Sequence, residues 1–343
     1  MMAPCESDNQ TIRQSGNLYV HFPFCRRKCS YCALYSRAGV SQADRDAYVR
    51  RLAQDIKQSS NLKSVDLATV YFGGGSPALC DLGVLAPSLR PLCGEDTEFT
   101  VELHPLDVTT AALDVLKGLG VNRISMGVQS LDDAVLADMG RGYALEEAER
   151  AFARVAERFD NAGIDLIVGY STEETWERLG RLKNWGLKHC SVYSLQNERG
   201  LANVPDDDTV LNRISEISAF LKGIGLERYE ISNYAVPGFE CRHNLAVWRG
   251  EDYVGLGDGA CGRIGLKRTK FGSEETVSAE FDEKERRLFR LRTKDGLDAS
   301  NHPEWGQTLQ NACKQGLLTQ SGEIYRLTER GMEICDSILA DLI

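Results

Sequence analysis

Short apolar segments alternate with longer amphipathic segments along the chain up to about residue 200. The short segments are rich in β-branched and aromatic residues, and the longer ones carry apolar residues at helical spacing. Several of the longer segments follow Ser, Thr or Asp, which favour helix N-termini. The alternation predicts repeated βα units around a mostly parallel sheet. The predicted strands are 17–22, 68–73, 98–103, 122–128, 163–169 and 189–195, and the predicted helices are 43–59, 81–91, 109–118, 145–158 and 173–184.

The alternation stops near residue 200, and the pattern changes twice after it. A helix is predicted over 208–223, followed by a Gly-, Tyr- and Trp-rich segment at 228–262 that indicates a strand and then irregular chain. From about residue 275 the chain turns helical and charged. Residues 317–339 indicate a short strand, a turn, a second strand and a terminal helix, which is typical of a small winged-helix-like module.

These patterns together predict an α/β protein with a partial (β/α)6 barrel and a small C-terminal winged-helix-like α+β domain. The predicted organisation is an N-terminal tail at 1–16, the barrel at 17–200, a barrel extension at 201–270 and the C-terminal domain at 271–343.

Composition and charge narrow the functional classes. With 42% hydrophobic and 26% charged residues, the chain has the proportions of a folded globular protein. Fifty acidic against 40 basic residues give a net charge of −10, which disfavours nucleic acid or anionic lipid as a partner. No apolar stretch approaches the roughly 18 residues of a membrane-spanning helix, and the polar start lacks a signal peptide's apolar segment. We therefore predict a cytoplasmic protein with no spanning segment.

Three of the eleven cysteines stand apart from the others by their spacing. Cys25, Cys29 and Cys32 form a C-x3-C-x2-C group directly after the first predicted strand. The remaining eight are scattered singly, and most of them are predicted to be small buried side chains. These eight are Cys5, Cys80, Cys93, Cys190, Cys241, Cys261, Cys313 and Cys335.

Three thiolates on one loop can converge on one metal centre. Cysteine is the soft ligand that iron–sulfur clusters require, so a cluster is the favoured interpretation. A zinc site would need a fourth ligand, for which His21 is the close candidate, and unligated structural thiols are the third alternative. Three ligands leave one iron of a four-iron cluster open to a substrate or cofactor.

The cysteine triplet resembles that of the radical S-adenosylmethionine (SAM) superfamily, in which it binds a [4Fe-4S] cluster with SAM on the open iron. The similarity continues over almost the whole chain, to the family of oxygen-independent coproporphyrinogen oxidases and the heme chaperone HemW. The segments that carry it are YVHFPFC at 19–25, YFGGGSP at 71–77, VELHP at 101–105, VNRISMGVQS at 121–130, DLIVG at 165–169, SVYSLQNERG at 191–200 and HNLAVW at 243–248.

The resemblance implies a set of cofactor-binding residues around the triplet. By chemistry, Glu102 and Asp165 would accept hydrogen bonds from the SAM ammonium or ribose, Arg141 would face its carboxylate, and Gln129 could serve either. A bare glycine backbone lets a ligand approach closely. A tight βα turn is the alternative explanation of the glycines, and a core position that of Tyr19. The full predicted set is Tyr19, Phe24, Tyr31, Gly73, Gly74, Gly75, Glu102, Gln129, Arg141, Asp165 and His243, with Cys25, Cys29 and Cys32 as the metal ligands.

Two features favour the heme-chaperone branch of this family. The oxidases carry a further cysteine two residues beyond the third cluster ligand, where this chain has Leu34, and they have a longer N-terminal arm. The implied cofactors are a [4Fe-4S] cluster, SAM and heme. The implied partners are a heme-accepting apoprotein and an electron donor such as flavodoxin or ferredoxin.

The heme-associated H-N-x-x-Y-W pattern is present as His243, Asn244 and Trp248, with Val247 in the tyrosine position. His243 is the predicted heme contact or axial ligand, with a hydrogen-bonded core histidine as the alternative and Cys241 as a competing ligand. Tyr143 and Cys261 stand where the family often has histidine.

Two other functions stay open for the chain. One is a radical SAM enzyme of the methyltransferase or cyclopropane-forming type, and the other is an oxidoreductase like coproporphyrinogen III dehydrogenase. No catalytic residue is assigned from the sequence.

Overall fold

The structure, a computed structural model, describes residues 14–63 and 65–342. Residues 1–13, which hold Cys5 and most of the predicted N-terminal tail, lie outside the described residues. The strands are β1 (Gln14–Phe22), β2 (Phe24–Cys25), β3 (Arg37–Ala38), β4 (Val65–Gly74), β5 (Cys93–Leu103), β6 (Arg123–Gln129), β7 (Asn161–Val168), β8 (His189–Ser194), β9 (Glu227–Arg228), β10 (Asn233–Ala235), β11 (Val254–Leu256), β12 (Cys261–Ile264), β13 (Lys267–Lys270), β14 (Ser273–Thr276), β15 (Leu297–Asp298), β16 (Leu318–Ser321) and β17 (Ile324–Leu327).

Nine of these strands form one open sheet in the order β11-β1-β4-β5-β6-β7-β8-β10-β9. From β11 to β8 every neighbouring pair is parallel, whereas β10 runs antiparallel to both β8 and β9. The six predicted strands are therefore confirmed as β1, β4, β5, β6, β7 and β8, which form the partial barrel. Because parallel strands end at the same edge, the loops after these strands meet at one end of the barrel, here called the rim.

The helices that cover the sheet begin mostly where the sequence predicts them. The predicted helix at 81–91 is split into a 3-10 turn, Leu82–Leu85, and a short α-helix that contains Pro87. The predicted helix at 173–184 is a 3-10 helix, Glu177–Asn184. The α-helices are α1 (Gln42–Gln58), α2 (Ala86–Leu89), α3 (Thr110–Leu119), α4 (Asp133–Asp138), α5 (Leu145–Ala156), α6 (Asp207–Gly223), α7 (Arg242–Trp248), α8 (Ala279–Arg290), α9 (Gly306–Lys314), α10 (Glu329–Glu333) and α11 (Cys335–Ala340).

The segment 228–262 contains more regular structure than the sequence indicates. Its irregular part includes α7 and β11, so that interpretation is wrong for residues 242–248 and 254–256. Both elements are short, and both depend on partners far away in sequence. β11 pairs with β1, and the first turn of α7 donates backbone hydrogen bonds to Glu98. A local pattern carries no signal for such pairing.

The barrel strands alternate between a polar and an apolar face. The apolar positions belong to one large buried core between the sheet and its helices, as Leu18, Val20 and Phe22 of β1 do. The alternate positions point into the barrel interior and are polar or small. They include Asn17 and Tyr19 of β1, Thr69, Tyr71 and Gly73 of β4, Glu98, Thr100 and Glu102 of β5, and Arg123, Ser125 and Gly127 of β6. The interior is therefore built to hold polar groups.

A second buried core gathers residues from Leu288 to Leu342. It lies among α8, α9, the last two helices and the three-stranded sheet β15-β17-β16. The predicted strand–turn–strand unit is present as β16 and β17, which pair antiparallel. Among residues 14–63 and 65–342, none of the helices combines the length and the apolar character that crossing a bilayer requires.

Candidate metal and cofactor site

Cys25, Cys29 and Cys32 lie on one loop, residues 25–36, here called the cysteine loop. It leaves the rim end of β1 through β2 and returns through β3, which pairs with β2 in parallel. All three thiols are free and half-buried. The other described cysteines are also free thiols: Cys80, Cys190, Cys241 and Cys335 are buried, Cys93 and Cys313 are half-buried, and Cys261 is exposed.

The cysteine loop is held at several points by residues that the sequence analysis did not single out. These anchors come from the loops after β4, β5, β6, β7 and β8, so the loop is fixed to most of the rim. Arg26 Nε donates to Asp107 Oδ1 at 2.5 Å, and Asp107 also accepts from Ser76. Ser30 N donates to Met139 O at 3.2 Å, and Ser30 Oγ lies 2.8 Å from the Tyr170 hydroxyl. Arg199 Nη1 donates to Cys32 O at 3.2 Å. An acidic residue soon after a strand end, as Asp107 is, is the signal that could have found one of them.

A buried arginine stands against the thiols. Arg141 Nη1 lies 3.5 Å from Cys29 Sγ and 3.3 Å from the Tyr31 hydroxyl. Burial raises the pKa of the Cys25 and Cys32 thiols, so binding a metal centre there must displace protons. The fixed positive charge of Arg141 would then offset the negative charge of the thiolates.

The described residues hold no group of three His, Cys, Asp or Glu side chains that could bind a single metal ion. In an iron–sulfur cluster, by contrast, each thiolate binds a different iron, so the sulfurs stand farther apart than around one ion. The donor set of three half-buried thiols on an anchored loop therefore fits a cluster better than a tetrahedral zinc ion.

The glycine run at the end of β4 is packed tightly against the start of the cysteine loop. A Cβ on Gly73 would lie 2.9 Å from Glu102 Oε1, and a Cβ on Gly75 would lie 2.4 Å from Phe24 O. Gly74 adopts a φ of +106°, and a Cβ there would lie 2.5 Å from the His21 ring. The close approach to neighbouring protein atoms thus accounts for all three glycines, and it brings their backbone beside the loop.

Glu102 and Asp165 lie inside the barrel near the rim, on β5 and β7, and both are surrounded by protein but still reached by solvent. Glu102 accepts hydrogen bonds from the Tyr71 hydroxyl at 2.8 Å and from Gly74 N at 3.0 Å. Asp165 Oδ1 accepts one from Ser125 Oγ at 2.9 Å. Burial, followed by the charge of Asp165, raises the pKa of Glu102 to about 7, and burial raises that of Asp165 as well. A bound cation would relieve this repulsion.

Gln129 ends β6 with a backbone φ of +76°, a region that residues other than glycine rarely adopt. Its side-chain amide makes no hydrogen bond with any residue in the part of the chain that the structure describes. It lies close to Arg141, because both approach Gly127: a Cβ there would lie 2.6 Å from Gln129 Nε2 and 3.6 Å from Arg141 Nη2. An unpaired amide on a strained backbone is a common feature of ligand sites.

All three side-chain nitrogens of Arg141 have hydrogen-bond partners within the protein. Its Nε donates to the Tyr143 hydroxyl at 3.1 Å, and its Nη2 donates to Gly127 O at 2.5 Å. Tyr143 is buried, and its hydroxyl donates to Val128 O at 2.8 Å. The tyrosine in this position therefore holds the arginine against the end of β6.

The aromatic residues of the predicted set lie in three different places. The Tyr31 ring is near the Arg141 guanidinium and contacts Tyr170 edge to face. The Phe24 ring is buried in the core against Tyr48. The Tyr19 hydroxyl bonds to His21 Nδ1 at 2.9 Å inside the barrel. Of the three side chains, Tyr31 is thus the one in contact with the thiol–arginine cluster.

His243 lies inside the barrel, at the end away from the rim. It is buried, and its Nδ1 lies 2.8 Å from Thr69 Oγ1. Its ring stacks near Tyr19 and packs against Tyr71, with centroids 6.3 and 5.2 Å away. Burial and the nearby Arg123 lower its pKa to about 3, which keeps the imidazole neutral. The structure thus does not bring His243 together with the rim residues.

The other residues of the predicted heme segment also have partners within the protein. Cys241 is fully buried, with its thiol 3.7 Å from Glu98 Oε1. The Trp248 ring contacts Phe289 of α8 edge to face, and the Arg292 guanidinium lies 4.6 Å above it. Trp248 therefore joins the barrel to the C-terminal module.

Comparisons with known proteins agree with this architecture. The family model described as the radical SAM superfamily matches residues 19–183. The heme chaperone HemW of Escherichia coli (strain K12) is 30% identical, over 94% of this chain and 97% of that protein. The HemW protein of Bacillus subtilis (strain 168) is 33% identical over 73% of this chain and 72% of that protein.

Among solved structures, that of the coproporphyrinogen III oxidase HemN from Escherichia coli superposes with a TM-score of 0.81. It covers 96% of this chain and 90% of the oxidase at 21% identity, so this similarity concerns the fold. The match to the Escherichia coli HemW protein is long enough to include both the cysteine triplet and the C-terminal module. The chain belongs to the HemW family of the radical SAM superfamily.

Proposed function

We propose that this protein is a heme chaperone, which binds heme and transfers it to acceptor apoproteins. The observation that carries the proposal is the 30% identity to a HemW heme chaperone over nearly the full length of both chains. Leu34, where the related oxidases have a further cysteine, is exposed and supports the same choice.

Cys25, Cys29 and Cys32 are the proposed ligands of a [4Fe-4S] cluster, which their shared loop and free thiols support. When bound, the cluster supplies an open iron for SAM and electrons for its cleavage. Arg141 balances the thiolate charge, and its bonds to Tyr143 and Gly127 hold it in position.

The same rim is the proposed SAM site. Glu102 and Asp165 would accept hydrogen bonds from the ammonium group or the ribose, since both carboxylates keep lone pairs that no described residue uses. Gln129 contributes an unpaired amide next to Arg141. Tyr31 would contact the cofactor beside the thiols. The exposure of the cysteine loop also leaves room for an electron-donating protein, as the family implies.

The experiment that tests the proposal is a heme titration of the anaerobically reconstituted protein, followed by transfer to an apo heme protein. A chaperone gives saturable binding tighter than adsorption to serum albumin, and transfer faster than from heme–albumin. Absence of saturable binding would contradict the proposal.

The fold shared with a coproporphyrinogen III oxidase favours one second candidate, an oxidase-type enzyme. The polar barrel interior near Glu102 could hold a small substrate. Incubation with coproporphyrinogen III, SAM and a reductant distinguishes the two: decarboxylated product supports the enzyme, whereas SAM turnover alone supports neither.

A further inference from the structure

Three large apolar side chains are exposed on one side of the cysteine loop. Leu34, Tyr35 and Phe271, here called the rim patch, keep 56%, 43% and 58% of their surfaces in contact with solvent. The Tyr35 and Phe271 rings are tilted neighbours with centroids 6.2 Å apart. Exposed apolar surface of this kind, next to a functional site, marks an interaction surface.

The rim patch lies where the cysteine loop meets the chain that follows β11. A Cβ on Gly259 would lie 2.7 Å from the Tyr35 ring, and Phe271 N donates to Ala260 O at 3.1 Å. Since β11 is parallel to β1, both segments leave the sheet at the rim. The patch is therefore part of the same end of the barrel as the thiols.

Phe271 occupies the tip of the β13–β14 hairpin at a φ of +51°, followed by Gly272 at +79°. Tight hairpin turns of this kind prefer Asn-Gly, because asparagine tolerates positive φ far better than an aromatic residue. The chain thus places a bulky ring in solvent on an unfavourable backbone, at a position where a polar residue would be more stable.

A free thiol stands beside the patch. Cys261 is exposed and lies opposite Lys270 in the β12–β13 pair. Lys270 is the residue immediately before Phe271 at the hairpin tip. The Cys261 backbone packs against β11, since a Cβ on Gly255 would lie 1.9 Å from Cys261 O. The exposed thiol is therefore next to the hairpin that carries Phe271.

Cations adjoin the apolar side chains, although the whole chain is acidic. Lys28 Nζ lies 3.5 Å from Leu34 O, and Lys270 Nζ lies 5.8 Å from the centre of the Phe271 ring. Neither lysine forms an ion pair with a residue in the described ranges. A ligand for this surface should have a flat apolar face, negative groups at its edge and an affinity for a thiolate.

Heme combines these three properties, since it is a flat porphyrin with two carboxylates and an iron that accepts an axial ligand. We propose that heme binds at the rim patch, with the Cys261 thiolate on iron, the porphyrin face on Tyr35 and Phe271, and the propionates near Lys28 and Lys270. This inference rests on the proposed function and gives the cargo a site at the rim. Such a site leaves heme open to an acceptor, whereas His243 is enclosed in the barrel.

The test is a heme titration of the full chain with its cluster reconstituted, followed by the Soret band of the ferrous carbonmonoxy form. A thiolate ligand shifts that band strongly to the red. The wild type should show the shift, and Cys261→Ser should lose it and bind heme at least tenfold more weakly. Cys261→His should restore binding with the spectrum of an imidazole ligand. Cys313→Ser, in the C-terminal module, is the matched thiol control and should behave as wild type.

Phe271→Asn keeps the hairpin and relieves its backbone, so this variant should fold at least as well as wild type while binding heme several-fold more weakly. Unchanged affinity and spectrum in both Cys261→Ser and Phe271→Asn overturn the rim site. If His243→Ala loses heme while those two variants retain it, heme chaperoning stands and the rim site falls. If the wild type binds no heme saturably, the proposed function falls together with the site.

Discussion

The two ends of the barrel interior differ in how far solvent reaches their polar groups. At the rim, the thiols of Cys25, Cys29 and Cys32 are half-buried and the Gln129 amide makes no hydrogen bond within the described ranges. At the other end, Glu98, Arg123, Cys241 and His243, here called the barrel floor, are all buried. The polar groups of the rim can therefore be reached by a ligand, whereas those of the floor are enclosed by protein.

The floor is organised around the Glu98 carboxylate. It accepts backbone hydrogen bonds from Arg242 and His243, at 3.0 and 3.1 Å, and so caps the first turn of α7. Arg123, which is 1% exposed, forms no ion pair within 4 Å among the described residues, and its Nε has no partner. Its charge is instead balanced over a longer distance by Glu98, since burial raises the pKa of another neighbouring group, the Cys241 thiol, to about 12. A histidine of the heme-associated pattern thus lies in a structural part of the barrel.

The largest expected effect separates rim cysteines from floor cysteines. Cys25→Ala, Cys29→Ala and Cys32→Ala should each lose the iron and the visible absorbance after anaerobic reconstitution, because each removes one of three thiolate ligands. Iron analysis and absorbance spectra measure this directly.

Cys241→Ala is the matched control, since this buried floor thiol should leave iron content unchanged. Wild-type iron content in a rim variant, or loss of iron in Cys241→Ala, would contradict the assignment of the metal site to the rim.

The floor should instead respond in stability. Glu98→Gln removes the charge that balances Arg123 and weakens the cap of α7, so we expect the free energy of unfolding to fall by about 3 kcal/mol. Urea unfolding followed by tryptophan fluorescence gives this value.

Adding Arg123→Met to Glu98→Gln should recover part of the loss, because it removes the buried unbalanced charge. If the free energy of unfolding of Glu98→Gln lies within about 0.5 kcal/mol of the wild-type value, the Glu98 carboxylate is not needed for the stability of the floor.

At the rim, neutralising the buried carboxylate of Glu102 should stabilise the protein, whereas neutralising Glu98 in the floor should destabilise it. Its raised pKa of about 7 means that the folded protein holds a proton there that the unfolded chain releases near pH 4.5. The stability from this group is therefore present below about pH 4.5 and is lost as the pH rises toward 7. Glu102→Gln should remove this loss, so that the variant's stability relative to wild type increases across that window, while SAM binding weakens by roughly 1 to 3 kcal/mol.

Paired measurements of unfolding and SAM binding at pH 5 and pH 8 test this expectation. Glu174→Gln is a suitable control, because burial also raises the pKa of Glu174 to about 7 but its carboxylate bonds to Gly169 N and pairs with Arg213 at 3.6 Å. The control should change stability alone. If both variants change SAM affinity equally, Glu102 does not contact SAM.

The same contrast explains what the sequence could predict. The strands of the barrel and the cysteine triplet are local patterns, in which a few neighbouring residues fix the element or the chemistry. The polar interior of the barrel is also predictable from the sequence, because Thr69, Tyr71 and Gly73 alternate with apolar residues along β4. These features needed no knowledge of distant contacts.

The position of His243 could not be predicted in this way. Its ring nitrogen bonds to Thr69, which lies 174 residues earlier in the chain, and its helix is capped by Glu98. Nothing near His243 in the sequence reports either contact. The positions of Cys261 and Phe271 likewise depend on the pairing of β12, β13 and β14.

The smallest expected effect tests whether the rim gives up stability for binding. Gln129→Gly should raise the free energy of unfolding by about 1 kcal/mol, because glycine adopts the φ of +76° at position 129 without strain. The same change removes the unpaired amide and should weaken SAM binding. Gln129→Ala separates the two causes, since it also removes the amide but keeps the strained backbone, and it should weaken SAM equally without the gain in stability. Urea unfolding and SAM titration of both variants provide the four values. If glycine and alanine give the same stability, the backbone at the end of β6 is not strained, and the rim differs from the floor only in the accessibility of its polar groups.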